Sequence, residues 1–285
     1  YAIYSFIMAG ANLVLGYALI FGHFGFEAMG LKGAGLASSI AEYTGLLVLV
    51  FHVLLRPDIK HYRLFRFSSW KTSLAKDLMN LSAPLVVQNL LSMGAWFLFF
   101  VFMEKISAHD LAISNLVRGA YMISMTPMWG LSIAANSMVS NIIGQNKKDE
   151  VIHLLNKIIR LAFVVSGIMV LINLLFPDMV LSIFTNEKEL VDGAKGSLLV
   201  VDLAMFFFSF AIISISAVSG TGATRTALII EIGSILAYMV YNSFVTFVMH
   251  GPSELLWMSE VIYWLLAGMA SYIFVRSMKW KNIQV

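Results

Sequence analysis

The sequence predicts an all-α polytopic membrane protein, and three observations support this fold class. Hydrophobic residues make up 59% of the 285 residues and charged residues only 12%, whereas a soluble domain carries roughly 25% charged residues. The mean hydropathy is +0.83. Apolar stretches of about 20 residues alternate with polar connections, as transmembrane helices require, while the strands of a membrane barrel span only about 10 residues each.

We expect eight transmembrane helices, one from each apolar stretch. Their approximate bounds are 1–21, 33–55, 78–103, 109–143, 151–176, 196–219, 226–249 and 254–274. The fourth stretch exceeds a simple span, because its roughly 35 residues make a helix of about 52 Å and a bilayer core is only ~30 Å thick. Pro127 and Gly130 lie near its middle and mark an expected kink and a candidate gating position, since proline removes a backbone donor.

The distribution of lysine and arginine predicts the orientation of these helices. If the first helix runs outward, 14 of the 19 basic residues are cytoplasmic, four are external, and Arg118 lies within a helix. The cytoplasmic set is Arg56, Lys60, Arg63, Arg66, Lys71, Lys76, Lys147, Lys148, Lys157, Arg160, Arg225, Arg276, Lys279 and Lys281, and the external set is Lys32, Lys105, Lys188 and Lys195. The positive-inside rule therefore predicts a cytoplasmic C-terminus.

Residues 56–77 form the longest cytoplasmic connection and mix basic with aromatic side chains. One interpretation is a segment that lies on the anionic inner leaflet, where each base contributes ~1 kcal/mol. The other is a basic linker between two helical bundles. We expect no nucleic-acid binding from this segment.

The start of the chain predicts that further sequence precedes it. The first residue is Tyr1, and the apolar stretch that follows has no basic flank. A signal peptide would need a charged start and a small-residue cleavage site, and neither is present. We therefore interpret the chain as a fragment of a longer protein.

Several classes of function lack their sequence signatures. The chain has no cysteine, which excludes disulfides and thiolate metal sites, and it carries no phosphate-binding glycine loop or nucleophile motif. The six histidines fall in loops or near helix ends; they are His23, His52, His61, His109, His153 and His250. We therefore expect no enzymatic activity, no bound metal and no cofactor.

Four ionisable residues are predicted to lie within the membrane, where such groups are costly and are commonly functional or paired. Glu42, Arg118, Asp202 and Glu260 lie six to nine residues from the outer ends of their helices, which gives one layer about 9 to 14 Å deep. We expect an ion pair of Arg118 with Asp202 or Glu260, with Asn115 one turn from Arg118 on the same face. Structural pairing and a direct role in proton or ion transport are both open.

A second polar cluster follows Pro84 in the third helix. Gln88 and Asn89 lie one turn beyond the proline, and Ser92 and Trp96 follow them. Carbonyl groups freed at a proline, together with amides, are suited to form the polar floor of a cavity. The alternative is that the two amides hydrogen-bond a neighbouring helix.

Glu231 has a more modest interpretation. It lies about five residues from the inner end of the seventh helix, at ~1.5 Å per residue, close to the cytoplasmic surface. We expect it to pair with Arg225 or with the basic linker at an inner gate, or to extend its carboxylate towards the interface.

Four blocks of the sequence resemble the multidrug and toxic compound extrusion (MATE) transporters. They are GHFGFEAMGLKGAGLASSIAE at 22–42, SAPLVVQNLLSMGAWFLFFVFMEKISAHDLAISNLVRGAYM at 82–122, IAANSMVSNIIGQNKKDEV at 133–151 and VSGTGATRTAL at 218–228. The resemblance implies a bundle of twelve helices in two six-helix lobes, of which this chain holds helices five to twelve. Residues 1–55 would be the last two helices of the N-lobe, 56–77 the linker and 78–285 the complete C-lobe.

The resemblance also implies where a coupling ion would bind, and the sequence departs from that pattern. A glutamate of the sodium-coupled branch, two turns after the proline of helix seven, corresponds to Ser92, and an aspartate of helix ten corresponds to Phe208. Other members couple to protons through an aspartate on helix one, which lies outside this chain. The coupling ion, H⁺ or Na⁺, therefore stays open.

By this resemblance we expect a secondary antiporter that exports amphipathic, often cationic, organic compounds in exchange for H⁺ or Na⁺. Its partners would be the lipid bilayer of a bacterial-type inner (plasma) membrane, its small organic substrates and the N-terminal helices of the same protein. Two alternatives are a flippase for lipid-linked saccharides or other lipid precursors on a related fold, and a membrane fragment that does not transport.

Overall fold

The computed structural model describes residues 2–56 and 71–282, and within them it contains helices and no strand. Eight helices of 20 or more residues are present in this described part of the chain, together with the short helix α6. They are α1 (Ala2–Phe21), α2 (Leu31–Leu55), α3 (Thr72–Ile106), α4 (Ala108–Gly144), α5 (Val151–Leu175), α6 (Pro177–Ser182), α7 (Lys188–Gly220), α8 (Thr224–Phe244) and α9 (Ser253–Arg276).

Each of the eight predicted segments corresponds to one long helix, so the predicted all-α polytopic fold class is confirmed. Seven of these helices are long and apolar enough to cross a membrane. The eighth, α4, is outside that group, and it carries Arg118 together with many serine, asparagine and glycine residues. Its composition is therefore that of a helix whose faces meet protein or water as well as lipid.

Two helices begin earlier than their hydrophobic segments predict. Thr72 starts α3 and Lys188 starts α7, whereas the apolar runs begin at about 78 and 196. Hydropathy locates the part of a helix that can lie in hydrocarbon, and polar turns extend the same helix beyond it. Residues 72–77 of the predicted linker are thus the first turns of α3, while 57–70 lie outside the described residues.

The chain divides into two compact units, Tyr1–Lys71 and Thr72–Val285. In the first unit α1 packs against α2 through a stripe of small buried residues on α2, namely Gly33, Ala37, Ala41 and Gly45. A Cβ atom at Gly33 would lie 2.4 Å from the carbonyl oxygen of Leu19. The missing side chain is therefore what allows the two backbones to approach at this point.

In the second unit α7 is the central helix and packs against α4, α5 and α9, while α3 pairs with α8. Its sequence explains this position, because serine, alanine and glycine alternate with large apolar residues around the whole helix and most of them are buried. Gly220 ends α7 against α4, where an added Cβ would lie 2.8 Å from the carbonyl oxygen of Asn136. The carbonyl of Gly220 also accepts a hydrogen bond from Ser140 Oγ at 2.9 Å.

Helix α4 is continuous over 37 residues with Pro127 inside it. Its start is fixed by Ser107, whose hydroxyl accepts a hydrogen bond from the backbone N–H of Asp110 at 3.0 Å, the arrangement that satisfies a free donor of the first turn. At ~1.5 Å per residue the helix is about 55 Å long. Pro127 and Gly130 therefore lie in a continuous helix, and their role in gating stays a prediction.

Candidate functional site

A cavity of about 420 Å³ opens among five helices of the second unit, α3, α4, α7, α8 and α9. Its lining contains two carboxylates, Glu231 and Glu260, and the predicted polar residues Gln88, Asn89 and Ser92. Thioether and indole side chains form much of the remaining wall; they are Met93, Trp96, Met122, Met125, Trp129 and Trp264. The site is mostly apolar with a few polar groups, as small-molecule sites are.

Glu231 lies at one side of this cavity and is only 2% exposed. Its carboxylate accepts hydrogen bonds from the Ser92 hydroxyl and the Tyr263 hydroxyl. The Gln88 side-chain amide donates a third, at 3.5 Å. Three donors from α3 and α9 thus converge on one carboxylate of α8, which offsets the cost of burying it.

Glu260 is the second buried carboxylate of the cavity, with 6% of its surface exposed. The Tyr238 hydroxyl donates to Oε1 at 3.0 Å, and the Trp264 indole N–H donates to Oε2 at 2.9 Å. The same indole N–H lies 3.0 Å from the Tyr121 hydroxyl. Glu260 is therefore oriented by aromatic donors from α8 and from its own helix, rather than by a basic residue.

Helical spacing explains why these donors meet the two carboxylates. Glu231 and Tyr238 are seven residues apart on the buried face of α8, and Glu260, Tyr263 and Trp264 lie within one turn of α9, so each set shares one side of its helix. The Tyr238 and Tyr263 rings lie 5.6 Å apart between centroids, in an edge-to-face arrangement. The two carboxylate sites are therefore adjacent parts of one polar cluster.

Of the residues predicted for the third helix, Gln88, Asn89, Ser92 and Trp96 all line the cavity. Gln88 also hydrogen-bonds a neighbouring helix through Glu231, whereas Asn89 donates to its own helix, to the carbonyl oxygen of Leu85 at 2.8 Å. The indole N–H of Trp96 has no hydrogen-bond partner within the described residues. This N–H group is itself buried beside the cavity.

The predicted ion pair of Arg118 with Asp202 or Glu260 is wrong. Arg118 is exposed on α4, and its guanidinium lies 4.9 Å from the centroid of the Phe100 ring. Asp202 instead faces α5, where Asn173 Nδ2 donates to Oδ1 at 2.7 Å, and its Oδ2 atom has no hydrogen-bond partner within residues 2–56 and 71–282. Equal depth in the membrane placed these groups in one layer but gave no information on which way each helix faces.

Two further predicted site residues lie away from the cavity lining. Asn115 is exposed one turn before Arg118, on the same face of α4 as expected, and donates to the Leu111 carbonyl oxygen at 3.0 Å. Gly130 has open space around the position of a Cβ atom. Its neighbour Trp129 does line the cavity.

The sequence interpretation of Glu231 missed its position in the cavity. The carboxylate is buried among α3, α8 and α9, and no ion pair joins it to Arg225 within the described residues. The signal that could have identified it is the stripe Glu231, Ser234 and Tyr238, in which polar residues recur at the helical spacing of a buried face. A residue that only extends to the interface needs no such stripe.

No group of three or more His, Cys, Asp or Glu side chains in the described ranges is placed to hold a metal ion. Ion pairs within the same ranges join Lys195 to Asp178 and Asp192, and Lys281 to Asp149. All of them involve surface groups outside the cavity. The two cavity carboxylates are thus neutralised by no basic side chain of the described part of the chain.

Comparison with known proteins agrees with this architecture. The chain is 25% identical over 276 residues to a probable multidrug resistance protein NorM of Thermotoga maritima, an alignment that covers 95% of this chain and 58% of that protein. It is 24% identical over 239 residues to a probable multidrug resistance protein YoeA of Bacillus subtilis, covering 82% and 51%. The chain therefore spans a little over half the length of these relatives.

Solved structures give the same fold. A transporter of the MOP superfamily from Pyrococcus furiosus superposes with a TM-score of 0.84 at 17% identity, over 99% of this chain and 63% of that one. The MatE family model matches residues 84–244, which is more than half of the 285 residues. The chain therefore belongs to the MatE family.

Proposed function

We propose that this chain is part of a secondary active antiporter that exports amphipathic, often cationic, organic compounds in exchange for H⁺ or Na⁺. The observation that carries the proposal is the cavity with two buried carboxylates, Glu231 and Glu260, and no basic partner among the described residues. An exchanger needs a site that is stable with either of two positively charged ligands. Two carboxylates in an apolar cavity meet this need, because each is costly to leave charged and unpaired.

The wall of the cavity supports the substrate class. Indole rings attract organic cations through their faces, and methionine side chains adapt to apolar groups of varied shape. The indole rings of the cavity are those of Trp96, Trp129 and Trp264, and its methionine side chains include Met122 and Met125. An amphipathic cation would place its charge near the carboxylates and its apolar body against these side chains.

The donor set around Glu260 favours the proton over Na⁺ as the coupling ion. Hard cations are bound by oxygen ligands, and the indole N–H of Trp264, which contacts Glu260 at 2.9 Å, has no lone pair to offer. A proton needs only one carboxylate oxygen. We therefore assign proton binding to Glu260, with the organic cation competing for the negative charge of the two carboxylates.

We also propose the arrangement of the complete transporter. Residues 1–55 would supply the last two helices of the N-lobe, 56–77 the cytoplasmic linker and 78–285 the C-lobe, in a bacterial inner membrane with the C-terminus in the cytoplasm. The relatives, which are longer than this chain, support such an arrangement. We assign no enzymatic activity to the protein.

The test is efflux of a fluorescent organic cation from cells that express the full-length protein. Glu231→Gln and Glu260→Gln each keep the size of the side chain and remove its charge, so each variant should lose most of its efflux at unchanged expression. Glu189→Gln is the matched control, because Glu189 is exposed in the first turn of α7 outside the cavity. Full efflux by the Glu231→Gln, Glu260→Gln double variant would contradict the proposal.

The same assay distinguishes the coupling ions. Efflux driven by an imposed proton gradient without Na⁺, and lost on collapse of that gradient, is the expected result. Efflux that instead requires a Na⁺ gradient would overturn the assignment of the proton and leave the role of the carboxylates in place.

A further inference from the structure

A second cavity, of about 570 Å³, lies between the first turns of α3 and the connection from α7 to α8. It is separate from the cavity that holds Glu231 and Glu260, because the two have no lining residue in common. The apolar runs of α3 and α8 begin at about 78 and 226, so the second cavity lies at the predicted cytoplasmic surface of the membrane. Lipid headgroups occupy this level of a bilayer.

One wall of this cavity is the start of α8, and its donors are suited to bind a phosphate. Helix α8 begins at Thr224 and no side chain caps it, so the backbone N–H groups of its first turn are available to an anion. Arg225 lines the same wall and is exposed. The salt bridges of the described ranges are those of Lys195 and Lys281, so the guanidinium of Arg225 has no carboxylate partner there.

The side chain of Thr224 is an independent indication that this wall binds a polar ligand. Thr224 lines the cavity although it is only 3% exposed. Its hydroxyl forms no hydrogen bond within residues 2–56 and 71–282, whereas a hydroxyl so deeply buried ordinarily has a partner. A phosphate oxygen beside the first turn of α8 would supply the missing acceptor.

Asp77 on α3 supplies the opposite charge at the facing wall. It lines the cavity and is exposed, and no ion pair joins it to Arg225 in the part of the chain that the structure describes. Two opposite charges that line one cavity without pairing can each bind one end of a molecule that carries both. The cavity therefore favours a zwitterion with its anionic end at α8 and its cationic end at α3.

A row of leucines on α3 indicates that this zwitterion is a lipid. Leu74, Leu78 and Leu81 line the cavity and recur at intervals of four and three residues, so they share one side of the helix. Leu74 and Leu78 are each 56% exposed, next to the charged groups. An exposed apolar row can be covered by acyl chains, which a soluble zwitterion lacks.

We propose that this cavity binds a phospholipid with an amine headgroup, such as phosphatidylethanolamine. The phosphodiester accepts hydrogen bonds from the guanidinium of Arg225, the hydroxyl of Thr224 and the first N–H groups of α8, while the ammonium contacts the carboxylate of Asp77. The acyl chains lie along the leucine row. This lipid site is distinct from the cavity of the proposed function and does not depend on what the protein transports.

The experiment titrates the purified full-length protein in detergent with two lipids that have identical acyl chains, phosphatidylethanolamine and phosphatidylmethanol. Both carry one phosphodiester, and only the first carries an amine. Native mass spectrometry measures the apparent Kd of the first bound lipid. We expect phosphatidylethanolamine to bind about tenfold more tightly, the effect of one charge-assisted hydrogen bond.

The residues of the two walls should affect these lipids differently. Arg225→Gln should weaken both lipids on the order of tenfold, because both lose the same phosphate contact. Thr224→Val keeps the shape of the side chain and should weaken both lipids about threefold to tenfold, through the loss of one hydrogen bond. Asp77→Asn should weaken only phosphatidylethanolamine, to about the affinity of phosphatidylmethanol, because only the amine uses this carboxylate.

Arg276→Gln is the control, since Arg276 is an exposed arginine at the end of α9, at the same predicted membrane surface and outside the cavity. Equal affinity of the wild type for the two lipids would overturn the site, as would Arg225→Gln and Asp77→Asn variants that bind both lipids as Arg276→Gln does. Glycerophosphoethanolamine carries the same headgroup without acyl chains and should compete only weakly. Competition at the affinity of the lipid would contradict the assignment to a lipid and indicate a site for a soluble zwitterion.

Discussion

Ser92 on α3 donates a hydrogen bond to Glu231 on α8. Position 92 is where the resemblance to sodium-coupled transporters places a glutamate, and here a serine occupies it while a carboxylate reaches it from a facing helix. The second expected carboxylate position is Phe208, whose ring packs on Trp264 at 4.8 Å between centroids. Trp264 in turn donates to Glu260. Glu231 therefore contacts the side chain at one position where the resemblance places a carboxylate. Glu260 is separated from the other position only by the side chain of Trp264.

Exchanging the side chains of residues 92 and 231 tests whether efflux requires the carboxylate on α8 or only a carboxylate in this pocket. Glu231→Ser should abolish most efflux, and adding Ser92→Glu to it should restore at least half of the lost activity, because the carboxylate returns to the same pocket from α3. The measurement is dye efflux at matched expression. Ser92→Glu alone should impair efflux, since two carboxylates in contact repel each other when both are charged. No recovery in the double variant would mean that the helix that carries the carboxylate is itself essential.

Trp264→Phe tests the orientation of Glu260. The substitution keeps a smaller aromatic ring and removes the N–H that contacts the carboxylate at 2.9 Å, so the free energy of unfolding should fall by about 1.5 to 3 kcal/mol, as for hydrogen bonds to charged groups. Reversible unfolding of the purified protein in detergent provides the measurement. Trp129→Phe is the matched control, because Trp129 lines the same cavity and its stability should be close to that of the wild type.

Asp202 and Asn173 should act as a structural pair between α7 and α5. Asp202→Asn keeps one hydrogen bond to Asn173 and removes the charge, so efflux should stay within about twofold of the wild type. Asn173→Leu leaves the buried carboxylate of Asp202 without its donor and should lower the free energy of unfolding by about 2 kcal/mol. Measuring efflux and unfolding in detergent for both variants distinguishes a structural role of Asp202 from a role in transport. Loss of efflux in Asp202→Asn at normal stability would place Asp202 in the transport pathway after all.

Gly33 should be required for the close packing of α1 and α2. Gly33→Ala introduces a Cβ at 2.4 Å from the Leu19 carbonyl oxygen, which forces the helices apart and should cost about 1 to 3 kcal/mol. Gly35→Ala is the control in the same helix, because nothing lies within 4 Å of its Cβ position and alanine is the better helix former by about 1 kcal/mol. Thermal unfolding should show a lower midpoint for Gly33→Ala and an equal or higher one for Gly35→Ala.

The sequence predicted those features that depend on composition along one helix. Eight apolar runs correspond to eight long helices, and two observed features are of the same local kind: the Ser107 cap, with Asp110 three residues after it, and the stripe of small residues on α2. Each of these follows from side chains a few positions apart on one element. Helix starts were less accurate, because Thr72 and Lys188 begin helices whose first turns are polar.

The features that were missed depend on the rotation of one helix against another. Arg118, Asp202 and Glu260 have similar predicted depths, yet they face Phe100, Asn173 and Tyr238 respectively. Depth follows from counting residues, whereas facing direction depends on how α4, α7 and α9 pack, which a single sequence specifies only weakly. Glu231 was missed for the same reason, since its three donors come from two helices distant in the chain.

Helix α4 is continuous through Pro127 and packs against its neighbours on both sides of the proline. Towards its inner end Ser140 and Asn136 contact Gly220, while Arg118 lies on the arm beyond the proline. Arg118 lies nine residues from Pro127, about 14 Å along the helix, so a hinge motion of about 10° would displace its backbone by about 2 Å. A small change of angle at one residue would thus be enough to separate the guanidinium from the aromatic ring beneath it.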